Sequence, residues 1–234
     1  MFELIAHRGA SKEAPENTLS AFRKACDLKV DTIELDVHLS SDGTPIVIHD
    51  STLGRTSTGK VGTRIQHYTT KEIAELDAGA WFHPEFKGEK IPTLAEALVF
   101  LKGKTRLMIE VKKDHAQAKE VARAVCECVK GYENLVVGSF SVQILEELRN
   151  LAPELPLMGI FEDLNKLPAL REMKFKSYAS WYKLLTPTLV NELHEEGATI
   201  WAFTVDDLRS ASFLLSIGVD GIITNDPRLM LSLR

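Results

Sequence analysis

Apolar and polar residues alternate in short runs along this chain, and stretches with helical spacing separate the runs. In Thr32-Ile33-Glu34-Leu35-Asp36-Val37, the apolar Ile33, Leu35 and Val37 fall on one face of a strand. Glu34 and Asp36 then share the other face, because strand side chains alternate with period 2. Met108-Ile109-Glu110-Val111-Lys112 repeats the pattern, with Glu110 and Lys112 on one face. Strands are expected over residues 3–6, 32–37, 105–111, 135–138, 157–160, 177–180, 199–203 and 221–224.

Helix signals fall between these strands. Asn17 is placed to N-cap a helix over 18–28. Thr69 with Glu72 and Thr93 with Glu96 have capping-box spacing for helices over 71–76 and 94–101. Thr186 precedes Pro187 at a helix start that Gly197 stops, and Asp206 or Asp207 opens a helix that Gly218 ends. Strands alternating with helices eight times predict an α/β fold, a closed parallel TIM (β/α)8 barrel. Residues 51–90 break the rhythm. They are polar, rich in Gly and Thr, carry one short helical signal and follow an extra strand over 44–48. The expected organisation is a single domain over 1–234, with 51–90 inserted after the second barrel strand on the catalytic rim.

The 234 residues suffice for such a barrel, and shares of 44% hydrophobic and 26% charged residues are ordinary for a globular protein. A formal net charge of -5 argues against a nucleic-acid partner. No apolar run is long enough to span a bilayer, and the N-terminus does not read as a secretory signal, so a cytoplasmic protein without stable membrane insertion is expected. Cys26, Cys126 and Cys128 form no disulfide or zinc pattern and read as reduced structural residues.

The candidate chemistry gathers at strand ends. His7-Arg8-Gly9 closes the first strand, and His49-Asp50 closes the run Pro45-Ile46-Val47-Ile48. In parallel barrels these C-terminal ends carry the active site. Two neighbouring acids repel unless something positive sits between them. Glu34, Asp36 and Glu110 facing one point make an oxygen-rich site for one divalent cation, Mg²⁺ or Ca²⁺. A structural salt-bridge network is the bland alternative. His7 and His49 suit a general acid and base pair, with Arg8 and Lys112 neutralising phosphoryl oxygens. Lys112 could instead pair only with Glu110 or Asp36. Trp201 fits plain core or a wall of the substrate pocket equally well. His38, His67, His83, His115 and His194 have no evident partners and read as surface or loop residues, and Trp81-Phe82 read as packing the insertion onto the barrel.

Taken in order, the motifs resemble one family. They are His7-Arg8-Gly9, Pro15-Glu16-Asn17-Thr18, Glu34-Leu35-Asp36-Val37, His49-Asp50 with Leu53 and Arg55-Thr56, and Ile91-Pro92-Thr93-Leu94. Glu110-Val111-Lys112, Ser139-Phe140, Trp201 with Thr204, and Gly218-Val219-Asp220-Gly221-Ile222-Ile223-Thr224-Asn225-Asp226-Pro227 follow. The chain resembles the glycerophosphodiester phosphodiesterases, of the bacterial cytosolic type. The resemblance implies a TIM barrel that hydrolyses glycerophosphodiesters to sn-glycerol 3-phosphate and an alcohol. It implies a divalent metal on Glu34, Asp36 and Glu110, acid-base roles for His7 and His49, and phosphate contacts from Arg8 and Lys112. The implied partner is a small-molecule diester, with the protein a monomer or small homo-oligomer. Competing readings are a phospholipase C-like or sphingomyelinase-like hydrolase of intact lipid, and an inactive metabolite-binding barrel.

Overall fold

Eight parallel strands close on themselves in the computed structural model, which describes residues 2–113 and 118–234. The strands are β1 (Glu3–Ala6), β2 (Thr32–Leu39), β4 (Arg106–Val111), β5 (Leu135–Ser139), β6 (Leu157–Phe161), β7 (Ser177–Trp181), β8 (Thr199–Phe203) and β9 (Gly221–Thr224). Pairing of β1 with both β9 and β2 completes the ring. A ninth strand, β3 (Pro45–Val47), runs antiparallel against the end of β2 and lies outside the barrel order. The expected barrel is therefore the observed one.

Helices clothe the ring: α1 (Leu19–Asp27), α3 (Leu94–Leu101), α4 (Ala118–Val129), α5 (Val142–Leu151), α6 (Leu167–Glu172), α7 (Pro187–Glu195), α8 (Leu208–Ser216) and α9 (Pro227–Met230). Each packs an apolar stripe on the sheet, and Ile33, Leu35, Val37 and Leu39 of β2 meet them in the larger core. Fully burying each such side chain contributes about 1.5–3 kcal/mol. The capping boxes at Thr69 and Thr93 both form, and Asp207 rather than Asp206 caps α8. At α1 the cap is Thr18, whose hydroxyl accepts from the Ala21 amide, not Asn17. Asn17 has a left-handed φ of 58°, outside the extended region an N-cap adopts, and its amide is used elsewhere.

Inside the barrel the inward residues stack in layers, as the alternation of each strand requires. The lowest holds Glu3, Thr32 and Arg106, joined by an Arg106–Glu3 ion pair at 3.2 Å and a Thr32–Glu3 hydrogen bond at 2.6 Å. Above it is an apolar plug of Ile5, Met108, Val136, Met158, Ile160, Ala179, Trp201 and Ile223. The next inward positions, at the C-terminal strand ends, are polar.

The segment after β3 holds α2 (Thr70–Ala74) and two short 3-10 turns, Ile65–His67 and Pro84–Phe86, beyond the one helix expected. It is anchored by an aliphatic cluster of Ile46, Ile48, Leu53, Ile65, Ile73, Ala78 and Ile91. Trp81 does not anchor it. Its ring is partly exposed and stands edge-on to Phe82, which in turn stands against Phe86. The three cysteines are free and half-buried, and burial raises their thiol pKa values.

Candidate active site

The polar layer gathers side chains that lie far apart in sequence. β2 pairs with β4 so that Asp36 faces Glu110 in register, and Glu34 sits one inward step below Asp36. One carboxylate oxygen from each of Glu34, Asp36 and Glu110 lies within 4.8 Å of the others, and all three residues are buried. His7 continues β1 beyond its last pair, its amide donating to the Thr224 carbonyl at 2.8 Å. Arg8 follows with φ 58°, and its amide donates to Glu34 Oε2 at 2.8 Å. Gly9 must be glycine: its φ is 80°, and a Cβ there would lie 2.7 Å from the Ala21 carbonyl carbon.

Cations hold the acids together. Lys112 Nζ bridges Asp36 Oδ1 at 2.8 Å and Glu110 Oε1, and Arg8 Nε lies 3.2 Å from Asp36 Oδ2. Asn17 Nδ2 donates to Asp36 Oδ2 at 2.8 Å. Three carboxylates thus share two cations, and Glu34 has no side-chain cation of its own. Burial and the charges of Asp36 and Glu110 push the Glu34 carboxyl well above the usual carboxylate range. Burial also raises Glu110, against the pull of Lys112. At Asp36 burial opposes ionisation, but Lys112 and Arg8 outweigh it and hold the carboxyl far below the ordinary value. Oxygen-only donors, a carboxylate without a side-chain cation of its own and an ammonium already standing between two of the acids fit a hard divalent cation.

Each histidine is oriented by a partner. His7 Nδ1 lies 2.7 Å from Asn225 Oδ1, and Asn225 Nδ2 donates to Asp206 Oδ2 at 2.6 Å. A carboxylate only accepts, so the Asn225 oxygen must face His7, and His7 Nδ1 must carry the hydrogen. Its Nε2 lone pair then faces the acids, 4.0 Å from Glu34 Oε2. Burial, reinforced by Arg8, lowers the His7 pKa to about 4. His49 follows β3, with Nδ1 2.7 Å from Asp50 Oδ1, and burial lowers its pKa as well. Arg55 clamps Asp50 through Nε at 2.6 Å and also donates to both Glu16 oxygens at 2.9 Å. Glu16 closes the circuit by accepting from Arg8 Nη1 at 2.7 Å.

The sequence reading misses several of these partners. Asn225, Asp206, Glu16 and Asn17 stand in loops, and only the topology delivers them. Asp50 and Arg55 sit inside motifs whose purpose is visible only once both side chains meet. His38 is a correction: it is buried in β2, with Nε2 2.8 Å from the His49 carbonyl, because even-numbered β2 residues point into the barrel. His194 pairs with Asp220 at 2.9 Å. His115 lies outside the described residues.

A cavity of about 360 Å³ opens over this layer, lined by His7, Arg8, His49, Glu110 and Lys112 on one side and by Phe140, Glu162 and Phe203 on the other. Trp201 is not among its walls. It is 2% exposed, sits one inward step below Phe203 in the apolar plug, and has the Arg106 guanidinium 5.3 Å from its ring. The expectation of Trp201 as pocket wall is therefore corrected to core, and Phe203 takes the wall position. Larger clefts near Asp42, about 570 Å³, and near Tyr132, about 680 Å³, hold neither the acids nor the paired histidines.

A barrel mouth with clustered oxygen ligands, guanidinium and ammonium groups and two oriented imidazoles defines a phosphoesterase of the TIM-barrel class. Comparison with known proteins sharpens the class. The chain belongs to the Glycerophosphoryl diester phosphodiesterase family, whose model matches residues 7–229. It is 35% identical to a glycerophosphodiester phosphodiesterase of Caldanaerobacter subterraneus subsp. tengcongensis, over 98% of this chain and 96% of that one. It is 32% identical to one from Bacillus subtilis, over 96% and 84% of the two chains. An Oleispira antarctica phosphodiesterase, solved with the product sn-glycerol-3-phosphate, superposes with TM-score 0.93 at 28% identity and covers 99% of this chain and 96% of its own.

Proposed function

We propose that this enzyme hydrolyses small glycerophosphodiesters to sn-glycerol 3-phosphate and an alcohol, using His7 and His49 for proton transfer. The observation that carries the reading is the placement of His7 Nε2 beside the acid cluster while Asn225 fixes its tautomer. The likeness to a phosphodiesterase that holds sn-glycerol-3-phosphate supports the choice of product.

Glu34, Asp36 and Glu110 would hold one divalent cation, Mg²⁺ or Ca²⁺, which when bound supplies Lewis-acid charge to a phosphoryl oxygen. Oxygen donors from three carboxylates suit hard ions of this kind. Lys112, which pairs with Asp36 and Glu110, and Arg8 would set two positive charges against the phosphoryl oxygens. Neutral His7 takes the proton of the attacking oxygen through Nε2. The glycerol 2-hydroxyl is that nucleophile in our reading, because it is tethered to the phosphorus at high effective concentration. His49, backed by Asp50, gives a proton to the departing alcohol oxygen. Water then opens the cyclic phosphate with the histidine roles reversed.

We read the whole chain as one catalytic unit, with residues 51–90 forming part of its rim through His49, Asp50 and Arg55. Among the described residues no helix is long and apolar enough to cross a membrane. Half-buried free thiols suit a reducing compartment, so we place the enzyme in the cytoplasm, as a monomer or small homo-oligomer.

The test is release of glycerol 3-phosphate from soluble diesters and from micellar lipid, with EDTA and then with Mg²⁺ or Ca²⁺ restored. EDTA-sensitive release from the soluble diesters, lost in His7→Ala, supports the reading. Release only from micelles, or undiminished release in His7→Ala, overturns it.

A further inference from the structure

The two sides of the cavity differ in charge. His7, Arg8, Lys112 and the acid cluster occupy the ends of β1, β2 and β4. Glu162 continues β6, which stands opposite β1, four strands away in either direction around the ring. Met158 and Ile160 point into the barrel, so alternation turns Glu162 inward as well. Among the described residues Glu162 makes no ion pair. Among the described residues it is the only acid besides Glu110 that lines the cavity.

The surroundings of Glu162 are aromatic. Phe140 and Phe203 line the cavity beside it, edge to face at 5.8 Å with an interplanar angle of 84°. An unpaired carboxylate bordered by open aromatic rings is the chemistry that recognises an ammonium group. The phosphate-binding side offers the opposite chemistry. A diester with its phosphorus over the acid cluster would extend its alcohol arm across the mouth toward β6–β8.

Resting on the catalytic reading above, we propose that Glu162, with Phe140 and Phe203, forms an alcohol-side subsite selecting diesters whose leaving alcohol bears an ammonium group. Lys113, also on the cavity rim, stands on the β4 side and sharpens the division of charge. An uncharged polyol arm would leave the Glu162 carboxylate without a cationic partner. The discrimination is expected in kcat/KM, because the subsite binds the arm in both ground and transition states.

The experiment compares kcat/KM for glycerophosphocholine, glycerophosphoethanolamine and glycerophosphoglycerol in wild type, Glu162→Gln and Phe140→Leu. Glu162→Gln is expected to lower kcat/KM for the two ammonium diesters by about three- to tenfold, mostly through KM, and to leave glycerophosphoglycerol unchanged. Phe140→Leu, which keeps apolar volume but removes the ring, should weaken the choline diester most. An equal effect on all three substrates, or none on any, overturns the subsite while leaving the catalytic reading intact. If wild type hydrolyses none of them, the catalytic reading falls. The subsite is then decided by calorimetric binding of glycerophosphocholine to wild type and Glu162→Gln. Weaker binding in the variant supports it, and equal binding overturns it.

Discussion

His7 Nδ1 and Asn225 Oδ1 are 218 residues apart in sequence and 2.7 Å apart in space. The contact exists because β1 and β9 close the barrel side by side, which places the residues just beyond their ends together. Asn225 is itself held by Asp206, so His7 is presented as one tautomer. Asn225→Ala should lower kcat by about ten- to a hundredfold, the usual range for a residue that orients a catalytic ligand, with little change in KM. The pH–rate profile separates orientation from mere folding: its His7 limb should shift in the variant. Wild-type kinetics in Asn225→Ala would show that the contact has no catalytic role.

Trp201 supplies a different kind of test, because core and pocket predict opposite outcomes. As part of the plug with Ile5, Met108 and Ile223, its truncation to Ala should destabilise the fold by about 3–5 kcal/mol. Urea unfolding would measure that loss. KM for the folded fraction should stay within about twofold of wild type, because Phe203 and not Trp201 reaches the cavity. A large KM increase at normal stability would return Trp201 to the pocket.

The metal-free protein should show a pH signature of His7. Its folded pKa of about 4 lies below the ordinary 6.5, because burial opposes the charged imidazole. Between those values the unfolded chain binds a proton that the folded chain refuses. This contribution is fully present above pH 6.5 and is lost as pH falls toward 4, a few kcal/mol at most. Glu34 has the reverse sign: its raised pKa lets the folded state take up a proton first, which adds stability as pH falls. Wild type reports the difference, so the urea midpoint should be followed against pH beside His7→Asn. The variant should lose less stability between pH 6.5 and 4. Parallel curves would mean that His7 is not desolvated.

Much of this is legible in the sequence, and the boundary has physical reasons. Glu34, Asp36, Glu110 and Lys112 declare themselves because strand alternation is local and period 2 survives in any fold. His7 and His49 are found because each ends an apolar run. The partners are not found, because Asn225, Glu16 and Asn17 reach the site only through barrel closure. Trp201 and Phe203 have the same parity, so alternation alone cannot say which sits at the mouth. That choice depends on how far β8 rises past its neighbours, a tertiary quantity. Asn17 escapes the sequence for a related reason: an Asn before a helix looks like a cap, and only its left-handed backbone reveals the bond to Asp36.

Metal binding should be readable as stability. A cation that binds only the folded state raises the unfolding free energy by about 2.7 kcal/mol at a hundred times its dissociation constant. Thermal melts with EDTA and with Mg²⁺ or Ca²⁺ should therefore separate, and Glu110→Gln should close most of the gap. The affinity should also rise with pH, since Glu34 must give up the proton that its raised pKa favours. Melts indifferent to metal and EDTA in the wild type would remove the acid cluster as a metal site.

Arg55 tests whether the outer circuit matters for catalysis. Its side chain is 45% exposed, so its pairs with Asp50 and Glu16 add little to stability, under about 1 kcal/mol after solvent screening. Its effect on the site should be larger. Arg55 holds the carboxylate that orients His49, and it shares Glu16 with Arg8, which in turn touches Asp36. Arg55→Ala frees Asp50 to rotate away from His49 Nδ1. We expect kcat to fall about tenfold with the melting temperature nearly unchanged. Asp50→Asn should cost more, since it replaces the negative charge that supports a protonated His49. If Arg55→Ala alone lowers KM-normalised rates while Asp50→Asn does nothing, the route runs through Glu16 and Arg8 instead. Only a variant as active as wild type in both cases would make the circuit purely structural.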